Sequence, residues 1–302
     1  SRLAVENLRN RIAELDIRCK LAERPSLYLA GDVLDADALR EEAAERLAAG
    51  LRCRFLDAAE LRESFGIERD AAILSPGNLA LDPRKLTVGM LSIAARRGAR
   101  FHADVEIGKI STSADEVLVQ TSNGPVIRCK HVVLATGYEL HEILPPLKHR
   151  ILSTWAIATA PQPRAIWPQA ALIWEASDPY LYLRATHDGR IICGGEDEDF
   201  QDADKRDGMI ADKTARISRK LAKLMPNVDV RPDFAWAGAF GATETGLPLI
   251  GSVPRHPRVF AVMGYGGNGI TFSQLASEMI ATALTGKQDA AAALFSLGGA
   301  RA

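Results

Sequence analysis

The chain has 302 residues, 47% of them hydrophobic and 25% charged, with a formal net charge of −1. That size suits two medium lobes or one large α/β body, and the composition is ordinary for a globular protein. The near-zero charge gives no electrostatic case for nucleic acid or an anionic membrane surface, and no apolar run approaches the roughly 20 residues of a membrane helix.

The start, Ser1-Arg2-Leu3-Ala4, has neither Met nor an apolar signal core, which suggests a processed chain or a fragment. Residues 3–16 read as an amphipathic helix with Leu8, Ile12 and Leu15 on one face. Residues 26–30 read as a strand. Asp35 then caps a helix that carries Leu39, Ala43 and Leu47 on one face and stops at Gly50. A helix over 82–98 is punctuated by Asp82, by Pro83 at its first position and by Gly98. The block 105–129 alternates apolar and polar residues from Val105 onward, and Ser122-Asn123-Gly124 marks a hairpin turn. The run His131 to Gly137 reads as a buried parallel strand ending in a glycine turn.

Between 151 and 195 four strands are expected, over 153–159, 171–174, 180–184 and 190–194, with Asp188-Gly189 as the last turn. A helix follows over 208–225 with Ile210, Ile217, Leu221 and Leu224 in register, then a strand over 233–240. Elements alternate in blocks, so the lobes are expected to be woven from discontinuous segments. The four cysteines, Cys19, Cys53, Cys129 and Cys193, are scattered without a C-x-x-C; they read as buried free thiols of a reducing, cytoplasmic compartment.

Near the end, the apolar run Val259 to Met263 meets Gly264-Tyr265-Gly266-Gly267-Asn268-Gly269, and a helix follows. This is G-x-G-x-x-G between a strand and a helix, the pattern of a dinucleotide loop. A first-turn Rossmann loop also needs a second strand about 20 positions on, tipped by an acidic residue. Only Asp289 has that spacing, and it follows a helix. The loop is therefore not expected to hold the pyrophosphate of a nicotinamide cofactor. Its glycines and the helix N-terminus still suit an anion or a polarised ring such as the pyrimidine edge of a flavin; a glycine-rich turn without a ligand is the alternative.

Three segments together resemble the glycine oxidase, D-amino-acid oxidase and sarcosine oxidase family of FAD-dependent oxidoreductases. Val132 to Gly137 is similar to the family's A-T-G strand, Gly246 to Gly251 to its G-x-P-x-I-G segment, and Gly264 to Thr271 to its flavin loop. The resemblance implies a mixed α/β fold: an incomplete FAD-binding Rossmann-like lobe plus a mixed-sheet substrate lobe, discontinuous in sequence. The expected segments are 1–80 and 146–245 for the substrate lobe, and 81–145 and 246–302 for the FAD lobe. It further implies Val105 near the adenine end, Ala135, Thr136 and Gly137 near the dinucleotide, and Gly264, Tyr265, Gly266, Gly267, Asn268, Gly269, Ile270 and Thr271 under the isoalloxazine.

Members of this family begin with a strand, G-x-G-x-x-G and a helix that hold the FAD pyrophosphate, and nothing before Asp82 has that pattern. The expectation is a chain without that unit, whether truncated, lost or supplied by a partner chain, with FAD held non-covalently and weakly or not at all. Gly238 stands near where some members attach flavin to Cys, so covalent attachment is not expected. Phe240 stands where a family Arg clamps the substrate carboxylate, and Phe cannot make that bidentate pair. Thr271 replaces a Lys of the sarcosine oxidases. Simple glycine or D-amino-acid oxidation is thereby put in doubt.

In Tyr180-Leu181-Tyr182-Leu183-Arg184, period-two alternation puts Tyr180, Tyr182 and Arg184 on one face. Tyr182 and Arg184 are candidates for the substrate pocket, with Arg184 replacing the missing clamp; aromatic packing on a half-exposed strand is the alternative. Trp155, Trp174 and Trp236 are expected in the core. The acidic stretch Glu196 to Asp204 reads as a solvated loop, His256 as a solvated turn residue, and no histidine or cysteine spacing suggests a metal. The function expected is oxidation of a C–N bond in a small amine or amino-acid-like molecule, this chain alone being inactive. A non-catalytic subunit or binding module of a flavoprotein complex is the alternative.

Overall fold

A computed structural model describes residues 2–122, 124–147, 149–287 and 289–298. The chain divides into two compact units. The first comprises Ser1–Arg18, Pro83–Ile151 and Phe240–Ala302; the second comprises Cys19–Asp82 and Leu152–Ala239.

The elements in chain order are α1 (Arg2–Glu14), β1 (Ala22–Leu29), α2 (Ala36–Ala48), β2 (Arg54–Asp57), α3 (Ala58–Phe65), β3 (Ala71–Ala80) and α4 (Pro83–Arg96). There follow β4 (Ile107–Thr112), β5 (Val117–Thr121), β6 (Val126–Cys129), β7 (Val132–Leu134), β8 (His149–Thr159), β9 (Leu172–Glu175), β10 (Leu181–Ala185) and β11 (Ile191–Glu198). The remainder are α5 (Ala203–Gly208), α6 (Ile210–Leu224), β12 (Pro232–Thr243), β13 (Leu249–Val253), β14 (His256–Met263) and α7 (Gly269–Leu284). The mixed α/β class expected from the sequence is the class observed.

In the first unit the three-stranded sheet β13-β14-β7 pairs β13 antiparallel and β7 parallel to β14. Its faces pack on two apolar clusters: Leu134, Val259, Ala261 and Met263 on one side, and Ile250, Phe260, Ala276 and Ile280 on the other, the second cluster sealed by α7. Helix α1 lies against α7, where Asn7 Nδ2 donates to Glu278 Oε1 at 2.9 Å. A second sheet, β4-β5-β6, is a meander. Its β5–β6 hairpin pairs Gln120 with Val126, as the turn signal implied; Asn123, the central residue of that signal, lies outside the described residues.

The second unit is built on an eight-stranded sheet of order β12-β8-β11-β10-β9-β1-β3-β2. One face is sealed by α3 and α6: Leu27, Leu29, Trp155, Ile157, Ile173, Leu181, Leu183 and Cys193 pack with Leu61, Ile217, Leu221 and Leu224. Helix α2 covers only the far end of the opposite face, where Leu39 and Ala43 meet Ile73, Tyr28 and Phe55. Its start is capped by Asp35, whose carboxylate accepts the Ala38 N–H at 2.9 Å.

Several expectations need correction. Leu47 is 55% exposed, because α2 buries only one residue per turn against β1 and β3. The parallel strand at 132–134 is half buried rather than enclosed, with Val133 exposed at 43%. Val105 lies two residues before β4, in irregular backbone after Asp104, whose φ is 56°. The helix expected over 208–225 is α6, Ile210–Leu224, and the short α5 ahead of it, Ala203–Gly208, was not foreseen. Trp236 is exposed on the outermost strand of its sheet, whereas Trp155 is fully buried. His256 hydrogen-bonds the Thr112 hydroxyl at 2.9 Å rather than facing solvent. Strands β2 and β3 and helix α3 were not foreseen, although Asp57 and Glu60 form a capping box that the D-x-x-E spacing carries.

Candidate functional site

Strands β7 and β14 run parallel, with Val132, Val133 and Leu134 opposite Val259, Phe260 and Ala261. Their carboxyl ends therefore face one way, and both continue into glycine turns: Ala135-Thr136-Gly137 after β7 and Gly264 to Asn268 after β14. The crevice beyond the carboxyl ends of parallel strands is where open α/β sheets bind ligands. Helix α7 begins at Gly269 and brings unpaired N–H groups and its positive dipole end to this edge.

Gly264 has a φ of 69°, and a Cβ there would meet Thr243 Cγ2 at 2.9 Å. The turn is thus built for glycine on both counts. A Cβ added at Gly137, Gly266 or Gly267 would meet no atom within 4 Å, so these three backbones stand open to a ligand. Ala135, Thr136 and Gly137 are all exposed, and the Thr136 hydroxyl donates to Glu139 O at 2.5 Å, which closes the turn. Asn268 and Ile270 are exposed, and Thr271 is half-buried at the helix start. Tyr265 is turned the other way and packs against the Ile250–Phe260 cluster; burial raises its phenol pKa. Among the described residues no strand follows α7. Among the described residues the G-x-G-x-x-G is a strand–helix turn, joining β14 to α7. Open glycine backbone and a helix N-terminus at one edge suit a group that carries negative charge.

The second unit carries a separate polar constellation on the sheet face that α2 leaves uncovered. Trp174, Tyr182, Gly194 and Ala156 lie side by side across β9, β10, β11 and β8. The Tyr182 ring lies over Gly194, where a Cβ would stand 2.3 Å from the Tyr182 hydroxyl. Arg184 follows on the same face, half-buried, and among the described residues it forms no ion pair. The register of β11 against β8 breaks between Gly195 and Glu198. In that bulge Gly195 has a φ of 136° and Glu196 a φ of 58°. Bulges of this kind re-aim side chains.

Here the bulge sends two successive acids in opposite directions. Glu196 is buried and pairs with Lys220, and its backbone carbonyl accepts from Lys213 Nζ at 2.7 Å. Lys213 is 2% exposed, also holds Glu198 at 2.7 Å, and stands 4.4 Å from the Trp155 ring centroid. Asp197 turns instead toward Thr154, Tyr180 and Tyr182. Burial raises the Asp197 carboxyl pKa, Asp178 adds to the rise, and Thr154, Tyr180 and Lys213 oppose it. Burial, with Asp197 nearby, also raises the phenols of Tyr180 and Tyr182. The stretch 196–204 is thus not simply a solvated loop.

Tyr182 and Arg184 share one face in the second unit, and the two glycine turns share one edge in the first. Phe240 belongs to the first unit, half-buried on β12 beside Gly241; a Cβ on Gly241 would lie 3.6 Å from Gly264 Cα. Asp197 and Thr154 went unnoticed in the sequence; the signal available was Gly194-Gly195 before an acidic pair, which marks a bulge. Among the described residues no group of three His, Cys, Asp or Glu could hold a metal, and no helix is long and apolar enough to cross a membrane.

The chain is 25% identical to gamma-glutamylputrescine oxidoreductase of Escherichia coli (strain K12) over 240 residues, 76% of this chain and 54% of that protein. It is also 25% identical to glycine oxidase of Bacillus licheniformis over 210 residues, 64% of this chain and 52% of that protein. The chain thus spans about half the length of the curated relatives it matches. Among solved structures, glycine oxidase from Geobacillus kaustophilus superposes with a TM-score of 0.81 at 21% identity, covering 98% of this chain and 81% of that one. Residues 1–283 match the family described as FAD dependent oxidoreductase (DAO), and the chain belongs to that family.

Proposed function

We propose that the chain is part of an FAD-dependent oxidoreductase that oxidises a C–N bond of a small amine or amino-acid-like molecule. The first unit takes the flavin end of the cofactor, and the second unit supplies the substrate face. The observation that carries this reading is the parallel β7–β14 pair, which delivers two open glycine turns and a helix N-terminus to one sheet edge. When bound, the flavin supplies a hydride acceptor. The residues of the chain hold and orient. Gly137, Gly266 and Gly267 allow close approach, and the α7 N-terminus favours negative charge on a facing ring. Arg184 offers an unpaired guanidinium to a carboxylate, and Tyr182 a hydroxyl beside it.

Family relatives named for amino-acid and amine substrates support the substrate class. Phe240 at the usual clamp position favours a substrate other than glycine. The four free thiols favour a reducing compartment such as the cytoplasm. Among the described residues the only strand–G-x-G-x-x-G–helix turn is the terminal one, so we expect this chain to bind FAD weakly by itself.

The test is flavin fluorescence on titrating FAD into the chain and into Gly267→Val. Gly267 has no neighbour within 4 Å of a Cβ, so the variant should fold while its side chain projects into the proposed flavin space. A loss of at least about tenfold in affinity is expected. Equal binding by both, or no binding by the parent, overturns the assignment.

A further inference from the structure

Asp197 is the most unusual side chain of the second unit. Both carboxylate oxygens are shielded from solvent, and neither has a hydrogen-bond partner at normal geometry. The Thr154 hydroxyl, equally shielded, is in the same position. These groups nonetheless adjoin: Thr154 and Tyr180 stand beside Asp197, and Thr154 stands beside Tyr182. Two tyrosine rings flank the group with centroids 6.2 Å apart. The β11 bulge fixes the acid there, and Lys213 pins the bulge through the Glu196 carbonyl. A buried polar group left half-satisfied is costly, and strained backbone beside it is expected where a function holds it in place.

We infer that Asp197 is a positioning residue that acts through Thr154 to set whether Tyr182 presents a hydrogen-bond donor or an acceptor to the open sheet face. With Asp197 ionised, the Thr154 O–H donates to the carboxylate, the Tyr182 O–H donates to Thr154 Oγ1, and Tyr182 is left with lone pairs outward. With Asp197 protonated, its O–H donates to Thr154 Oγ1, the Thr154 O–H donates to Tyr182, and the Tyr182 O–H points outward. One proton taken from solvent by Asp197 reverses the chain, and the two hydroxyl protons only rotate. The charged and titratable groups facing Asp197 are Tyr180 and Tyr182 of the β10 segment, Lys213 of α6 and Asp178 of the preceding loop. For the substrate this rests on the reading of Tyr182 as a pocket residue: the protonated state suits a carboxylate and the ionised state suits an N–H donor.

The experiment is NMR on the whole chain with tyrosine labelled by carbon-13 at Cζ, followed against pH without substrate. Tyr182→Phe identifies the resonance. In the parent chain the Tyr182 signal should step once, at the midpoint of the Asp197 carboxyl signal. Asp197→Asn, nearly isosteric, should abolish the step, as should Thr154→Val. Thr154→Ser should keep it, and so should Tyr180→Phe, which removes the other hydroxyl beside the acid. A flat Tyr182 signal in the parent, or a step surviving in Asp197→Asn or Thr154→Val, overturns the inference. A second readout separates it from the pocket reading. In the complete flavoenzyme, KM for a carboxylate substrate should rise with pH through the same midpoint and lose that dependence in Asp197→Asn. A step without any KM effect upholds the relay and overturns the pocket reading alone.

Discussion

On β10, Leu181 and Leu183 point to one side of the sheet, while Tyr182 and Arg184 point to the other. The same division runs along β8, where Trp155 and Ile157 oppose Thr154 and Ala156, and along β11, where Cys193 opposes Gly194. One face is apolar and closed by α3 and α6, and its Trp155 N–H donates to Arg206 O at 3.0 Å. The other face carries Tyr180, Tyr182, a guanidinium without an ion pair among the described residues, and a carboxylate and a hydroxyl short of partners. Period-two alternation lets each strand serve both ends. The apolar packing of the second unit is concentrated on the sealed face, and the proposed substrate contacts lie on the other. The two should respond to substitution in opposite ways.

The largest effect belongs to the sealed face. Trp155→Ala removes the largest fully buried side chain and its hydrogen bond, and should lower the unfolding free energy by about 3–5 kcal/mol in urea denaturation. Lys213→Met comes next. It leaves Glu198 and the Glu196 carbonyl without their ammonium partner, at a cost of about 3 kcal/mol, near the lower end for a broken buried pair because Lys220 still holds Glu196. If either variant unfolds at the parent's midpoint, the division between the faces fails.

Gly194→Ala tests the boundary between them. Its Cβ would stand 2.3 Å from the Tyr182 hydroxyl and 3.0 Å from Trp155 O. The backbone oxygen cannot yield, so Tyr182 must. A loss of about 1–3 kcal/mol is expected by thermal or urea unfolding, together with a displaced Tyr182 resonance. A full-stability variant with an unmoved Tyr182 would show that the ring does not rest on this glycine.

The sealed face was largely readable in the sequence. Ile217, Leu221 and Leu224 recur at helical spacing, and all three are buried. The strand runs of 151–195 and the carboxyl-end glycine turns were readable for the same reason: periodicity and glycine report local backbone demands directly. The meander and the terminal helix α7 followed from local signals too. Asp197 was not readable. Its direction depends on a one-residue slip of β11 against β8, a tertiary event, and in the sequence it is one acid among several between Glu196 and Asp204. Nor could the sequence show that Leu47 faces solvent, since it shares a helical face with Leu39 and Ala43, the two residues that α2 buries.

Arg184→Ala should distinguish the faces most cleanly. Stability should change by no more than about 1 kcal/mol, since Arg184 is half-buried and forms no ion pair among the described residues. On the proposed function, kcat/KM of the FAD-loaded protein for a carboxylate-bearing substrate should fall roughly ten- to a hundredfold, the value of a charge-assisted hydrogen bond, mainly through KM. Unchanged kinetics would remove Arg184 from the pocket.

The smallest effect is a pH slope. Burial raises the Asp197 carboxyl above its unfolded value of about 3.9, so between the unfolded and folded values the native chain keeps a proton that the unfolded chain has released. The stability contributed in this way is complete below the unfolded value and is lost as pH rises through the folded value. Asp197→Asn cannot ionise and carries no such slope. Urea midpoints of parent and variant should therefore diverge as pH rises from the acid side toward neutrality, with the variant gaining on the parent. A difference that stays constant would mean that Asp197 titrates as an ordinary carboxyl. A difference that moves the other way would mean that Lys213, Thr154 and Tyr180 outweigh burial, and that the open face holds a permanent anion. Tyr182 would then present only its lone pairs to a substrate.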